Sequence, residues 1–398
     1  MGDAAPPEAL PDWLIRPGPK RILSIDGGGV RGALAVGILC RIEATLREKL
    51  GRPDLVLADY FDLIGGTSTG AIIAACLALG RDTQYLRKLY HELGPKIFVR
   101  SPFRLPGVQS RFDPHRLERV IRDEVGEATL GGAAWKSGFC AVTKRVDTGS
   151  AWVVTNCPRA RYWEGDPAEI AAQTARDLRQ VTANKNYSLA KVVQASAAAP
   201  FFFDLVSMEV EAGKPGVFFD GAITAHGNPA LQLAMAALIP AYGFGWKPGA
   251  DQLLVVSVGT GAARPRKPEW VKPPLVALWK ALHALMSVAY DTSELALTTL
   301  QWLGVSPHPW RINSEIETLD QARPAGMAPL WTFMRYDAPL ELKWLKAHLD
   351  RDVSAHVLSA LQKLDDDRQI PALYEIGLDA GARQVRAAHF PDAFDALR

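Results

Sequence analysis

Apolar positions along the chain fall into two alternating rhythms. Arg21-Ile22-Leu23-Ser24-Ile25 is a short, largely apolar run that ends in Asp26-Gly27-Gly28-Gly29-Val30-Arg31-Gly32. Beyond it, apolar residues recur at helical spacing to about Leu50. The pattern predicts strand, glycine loop and helix. It then repeats. Tyr60–Ile64 reads as a strand, Gly65-Gly66-Thr67-Ser68-Thr69-Gly70 as its turn, and Ala71–Leu79 as an alanine-rich helix. Strands alternating with helices imply a parallel sheet covered on both faces. The expected fold class is α/β: three layers, α/β/α, around a mostly parallel central sheet.

The middle of the chain is less regular. Gly138–Val146 and Ala151–Thr155 read as paired strands, with Asp147-Thr148-Gly149 as the turn. Ser188–Ala199 reads as a helix stopped by Pro200. Val217-Phe218-Phe219 is a short strand running into Asp220-Gly221-Ala222, and Leu253–Val258 is a strand closing on Gly259-Thr260-Gly261. Residues 339–398 read as several short helices. The expected organisation is a flexible tail over 1–19, a catalytic domain over 20–337, and a helical C-terminal region over 338–398 packed on it. Leu275, Leu278, Trp279, Leu282, Leu285, Met286 and Ala289 form one wide apolar face of a long helix. Such a face either packs on a core or serves as a lid or interfacial anchor, and the core-facing helix is the preferred expectation.

Composition narrows the class. Hydrophobic residues make up 48% and charged residues 22% of 398, the usage of an ordinary globular protein. Disordered, collagen-like and coiled-coil chains are thereby excluded. The formal net charge of +2 does not mark a nucleic-acid binder. Cys40, Cys76, Cys140 and Cys157 form no CxxC pair, which argues against a zinc ribbon or a thioredoxin site and for a reducing compartment. Residues 1–19 lack a basic stretch followed by an apolar one, and no run of 18 apolar residues occurs. The expected location is the cytoplasm, with peripheral membrane contact as an option.

Gly66-Thr67-Ser68-Thr69-Gly70 is a G-x-S-x-G at a strand-to-helix junction. A nucleophilic serine must project from a tight turn, and glycines two positions away on either side remove clashes there. The N-terminus of the following helix favours a developing oxyanion. A glycine-rich turn with a capping Ser or Thr is the structural alternative. The Asp26–Gly32 loop offers several backbone N–H groups for an anion. Gly27, Gly29 and Gly32 also fit G-x-G-x-x-G, so a Rossmann-type dinucleotide site is the alternative. Against it, Asp26 would repel a pyrophosphate, and no ribose-binding acid ends a strand about twenty residues on. None of the eight histidines lies in a motif resembling that of a catalytic triad. Asp220, at a strand end, could reach Ser68, or could simply close a turn.

Together these residues resemble the patatin-like phospholipase family. Asp26–Gly32, Gly66–Gly70 and Asp220-Gly221-Ala222 are similar to its three signature motifs, in its order. Ser196–Phe201, Gly227-Asn228-Pro229 and Ser257–Gly261 are similar to its supporting stretches. The resemblance implies a patatin-like fold and a lipid acyl hydrolase, with Ser68 as nucleophile and Asp220 as proton acceptor. It also implies an oxyanion hole from Gly27, Gly28 and Gly29, with Asp26, Arg31, Gly32, Gly66, Gly70, Gly221 and Ala222 in support. No metal and no cofactor are expected. Arg31 would pair with a carboxylate or meet a lipid phosphate. The expected partner is a lipid met transiently at a membrane surface, not nucleic acid. A regulatory partner or nucleotide activator stays open, as does a patatin-fold binding module without turnover.

Overall fold

Among the described residues, eight short strands form a single sheet, and its most apolar strands lie at the centre. The computed structural model describes residues 10–97, 112, 114–164, 181–200, 202–264, 276–319 and 322–397. The strands are β1 (Lys20–Ile25), β2 (Leu63–Thr67), β3 (Gly138–Arg145), β4 (Ala151–Thr155), β5 (Val206–Glu211), β6 (Lys214–Asp220), β7 (Leu253–Val258) and β8 (Thr332–Tyr336). Their order is β5-β6-β3-β2-β1-β7-β8, with β4 also paired to β3. The block β3-β2-β1-β7-β8 is parallel throughout, whereas β4, β5 and β6 run antiparallel to their neighbours. The sheet is therefore mixed around a parallel core. β1, β2 and β7 are buried along their whole length, as expected of strands covered on both faces.

Two hydrophobic clusters lie on opposite faces of that sheet. Leu23, Ile25 and Ile64 pack with the helices Gly32–Leu50, Thr69–Ala78, Leu189–Ser196 and Ile370–Gln384. Ile22, Leu63 and Val255 pack with the helix Ala230–Leu238 and the C-terminal part of Val276–Leu303. The result is three layers. The Ile370–Gln384 helix crosses Gly32–Leu50 at glycine contacts. A Cβ on Gly377 would lie 2.0 Å from the Leu34 carbonyl oxygen, and one on Gly37 would lie 2.4 Å from that of Tyr374.

Several expectations need correction. Tyr60 ends a short helix, Leu57–Tyr60, and β2 starts only at Leu63. Asp62 stands just ahead of β2, with its backbone N–H donating to the Arg21 carbonyl and its carboxylate accepting from the Arg21 backbone N–H and guanidinium. Part of the supposed tail is structured: Leu10–Ile15 is helical and buries Trp13 and Leu14. β5 and β8 were not expected at all. The long apolar helix is present, but its described stretch from His283 to Tyr290 is not buried in a core. Leu285, Met286 and Val288 are 41%, 57% and 59% exposed, while Ala296, Leu297 and Leu300 further on are buried. Leu275 and the side chains of Leu278, Trp279 and Leu282 lie outside the described residues.

Candidate active site

The C-terminal ends of β1 and β2 deliver two loops to one rim of the sheet. After β2, the chain turns at Ser68 with φ 58° and ψ −126°, a left-handed conformation rarely adopted by a residue with a side chain. The turn is tight enough that a Cβ on Gly66 would lie 2.1 Å from the Gly70 carbonyl, and one on Gly70 would lie 2.2 Å from the Ile25 carbonyl oxygen. Glycine is required at both positions for that reason. The Thr69–Ala78 helix begins directly after Ser68, so its N-terminal end points at the serine. Three hydrogen bonds brace the elbow. The Ser68 N–H donates to Ser196 Oγ at 2.9 Å, and Ser196 Oγ–H donates to the Val142 carbonyl at 2.6 Å. Thr67 Oγ1 donates to the His226 carbonyl at 2.6 Å.

β3 brings the third motif to the same rim. Thr67 pairs with Val142, and the next residue of β3, Thr143, pairs with Asp220 at the end of β6. Asp220 is buried and caps the turn that follows, accepting from the Ala222 N–H at 2.7 Å. Gly221 passes so close to β3 that a Cβ there would sit 2.2 Å from the Val142 carbonyl oxygen. Burial pushes the Asp220 carboxyl up to about 7, and hydrogen bonds from Ser68 and the Ala222 N–H pull it partly back. A carboxylate in that range can exchange a proton near neutral pH. Both Asp220 roles considered from the sequence are thus combined: it closes a turn and it faces Ser68. No histidine ring bonds to Ser68 or Asp220 among the described residues.

The glycine loop completes the cluster. A Cβ on Gly27 would lie 3.3 Å from Ser68 Cβ and 3.6 Å from Ala222 Cβ, so the three motifs meet around one point. The Gly27 N–H is already committed, donating to the Gly227 carbonyl at 3.0 Å. The Gly28 and Gly29 N–H groups have no acceptor among the described residues and stand free for an anion. Gly29 adopts φ 57°, and a Cβ there would strike the Leu364 carbonyl oxygen at 2.2 Å. Asp26 does not face the loop interior. Its carboxylate is paired with Arg335 of β8. Burial raises the Asp26 carboxyl to about 6, and the charge and hydrogen bonds of Arg335 work against that rise. Arg31 is partly buried and its Nε donates to the Gly28 carbonyl at 3.4 Å. It makes no ion pair among the described residues. The Gly32 backbone opens the helix behind the loop, where a Cβ would meet the Tyr90 hydroxyl.

Sequence reasoning did not single out Ser196, Arg335, Asp337 or Thr260. Ser196 lies in a stretch noted only as supporting. Arg335 and Asp337 could have been found as charges set into the apolar run Leu330–Ala338. Among the described residues, no group of three or more His, Cys, Asp or Glu side chains converges as a metal site requires. No helix among them is long and apolar enough to cross a membrane.

Comparison with known proteins gives the same assignment. A family model described as patatin-like phospholipase matches residues 23–234. Patatin-17 of Solanum cardiophyllum is 26% identical over 77% of this chain and 80% of its own length. Patatin-T5 of Solanum tuberosum is 28% identical, with 60% of each chain covered. A probable inactive patatin-3-Kuras 1 of Solanum tuberosum is 36% identical, over 27% of this chain and 30% of its own. The chain thus spans about 60% or less of the length of several curated relatives it matches. Among solved structures, VipD of Legionella pneumophila aligns at 12% identity and TM-score 0.32, over 89% of this chain and 67% of VipD. The type III effector ExoU aligns at 16% identity and TM-score 0.25, over 71% and 54%. The chain belongs to the patatin-like phospholipase family, and the dinucleotide-binding alternative is not favoured.

Proposed function

We propose that this patatin-like chain hydrolyses fatty-acyl esters of lipids through a Ser68–Asp220 dyad and an acyl-enzyme. The observation that carries the reading is the meeting of three groups: a serine on a strained elbow, a buried carboxylate with a raised pKa, and two free loop amides. Asp220 takes the proton from Ser68 Oγ as the oxygen attacks the ester carbonyl carbon. The carbonyl oxygen becomes an oxyanion held by the Gly28 and Gly29 N–H groups and the N-terminus of the Thr69–Ala78 helix. The intermediate collapses, the C–O bond to the alcohol breaks, and Asp220 returns its proton to that alcohol. Water, deprotonated by Asp220, then attacks the acyl-enzyme and releases the fatty acid and Ser68. No metal or cofactor enters these steps.

The substrate meets the enzyme at a membrane surface, transiently. The exposed apolar side chains of Leu285, Met286 and Val288 support that contact, because each buried methylene adds about 0.8 kcal/mol. The working location is the cytoplasm. The test is hydrolysis of a soluble p-nitrophenyl ester and of phospholipid vesicles by the wild type, by Ser68→Ala, and by single His→Ala variants. Activity in excess EDTA, abolished by Ser68→Ala and kept by every histidine variant, is the expected result. An essential histidine would replace the dyad by a triad. A folded wild type inert on both substrates would favour the binding-module reading.

A further inference from the structure

The oxyanion loop is held from behind by residues outside the 23–234 stretch matched by the family model. Arg335 lies in β8 and is buried. Its Nη1 donates to Asp26 Oδ1 at 3.0 Å and its Nη2 to Asp26 Oδ2 at 2.6 Å, a two-pronged pair. Nη1 also donates to Ser257 Oγ at 2.8 Å, and Nη2 to Asp337 Oδ2 at 2.7 Å. Asp337 Oδ1 accepts from the Gly261 N–H at 2.8 Å. Between Ser257 and Gly261, Thr260 Oγ1 donates to the Gly27 carbonyl at 2.7 Å. One guanidinium therefore ties together β8, the turn after β7, and the first residue of the glycine loop.

Stability alone does not account for this cluster. Taking such charges out of water costs more than a well-packed apolar group would, so a buried ion pair is a weak stabiliser. Here the cost is not fully offset, because the Arg335 Nε is buried with no hydrogen-bond partner. What the planar fork supplies is geometry: it fixes both the position and the plane of the Asp26 carboxylate. Asp26 stands two residues before Gly28, whose amide is free. We infer that Arg335 is a positioning residue for acyl transfer, fixing the oxyanion loop through Asp26 so that the Gly28 and Gly29 amides face the reacting carbonyl oxygen. The inference rests on the acyl-hydrolase reading and deepens it.

Arg335→Lys tests this, because lysine keeps the charge and loses the fork. On the soluble ester, kcat should fall on the order of a hundredfold, with KM within about threefold of wild type. Affinity for a trifluoromethyl ketone, whose adduct places an oxyanion in the hole, should fall by the same factor as kcat/KM. A purely structural role would lower the melting temperature and the active fraction while leaving inhibitor affinity unchanged. The Asp26→Asn/Arg335→Gln double variant removes both charges together, and serves if the lysine variant does not fold. It should cost no more in kcat than the worse single change, since both act on one loop. Wild-type kcat in folded Arg335→Lys would overturn the inference. So would additive losses, or the absence of a cooperative melt in both variants. If the wild type itself shows no ester hydrolysis, the functional reading fails instead, and the two failures are told apart.

Discussion

Residues 20–261 carry the groups that would meet a substrate, and residues 322–397 carry what stands behind them. In the first region, the proposed reacting groups sit at strand ends: Ser68 after β2, Asp220 as the last residue of β6, free amides after β1. In the second, contact with the site is made by a backbone carbonyl and by buried charge. The Leu364 carbonyl accepts from the Val30 N–H at 3.0 Å beside the glycine loop, and Arg335 grips Asp26. The Ile370–Gln384 helix packs on the helix that follows that loop. A short motif can thus mark out the proposed reacting groups while leaving their support unmarked. Support of this kind depends on shape and burial more than on residue type.

The comparison predicts that changes in the two regions will differ in kind. The largest effect belongs to Asp220→Asn, which should lower kcat by several orders of magnitude because an amide cannot take the serine proton. In the wild type, kcat/KM should fall about tenfold per pH unit below about 7, as Asp220 becomes protonated. The same raised pKa carries a stability consequence. Its protonated form is favoured in the folded state, so that stability is fully present below about 4 and is lost as pH rises through about 7. Asp220→Asn should therefore melt higher than wild type at pH 8, and the gap should close at low pH. A wild type with no activity change between pH 6 and pH 8 would speak against Asp220 as base.

Ser196→Ala comes next. It removes the hydroxyl that receives the Ser68 N–H and leaves a buried donor unpaired, a loss of about 1–3 kcal/mol. A fall in kcat of roughly tenfold to a hundredfold is expected, with recovery in Ser196→Thr. Smaller again is the surface change. Leu285→Asp combined with Val288→Asp should lower vesicle hydrolysis several-fold and leave the soluble ester untouched. Equal loss on both substrates would show that this half of the helix acts on the fold. The smallest catalytic effect is expected from Gly377→Ala, whose added Cβ meets the Leu34 carbonyl. It should lower the melting temperature by a few degrees, with kcat per folded molecule within about twofold.

The sequence reveals the two regions unequally. β1, β4 and β7 were legible from apolar runs bounded by turn residues, and the three glycine-containing motifs from their spacing. β5 was legible in principle. Val206, Met208 and Val210 are buried and alternate with exposed Ser207 and Glu209, a clean period of two. β8 was harder to read, because Arg335 sets a charge into its five residues that only partners across the fold neutralise. Tyr60 looked like a strand residue by propensity, yet tertiary packing decided otherwise, with its ring edge-on to Phe61 and Phe390. The Gly27 amide differs from those of Gly28 and Gly29 only through the fold, which sets the Gly227 carbonyl against it.

On the proposed reading, Ser68 is a nucleophile made reactive by its strained elbow, the Asp220 carboxylate and the loop amides. The most direct measurement is reaction of the folded wild type with a fluorophosphonate probe at pH 8, with the adduct located by peptide mass spectrometry. A single phosphonylated serine at position 68, lost in Ser68→Ala and strongly slowed in Asp220→Asn, is the predicted result. An adduct elsewhere, or no adduct on a protein that melts cooperatively, would contradict it.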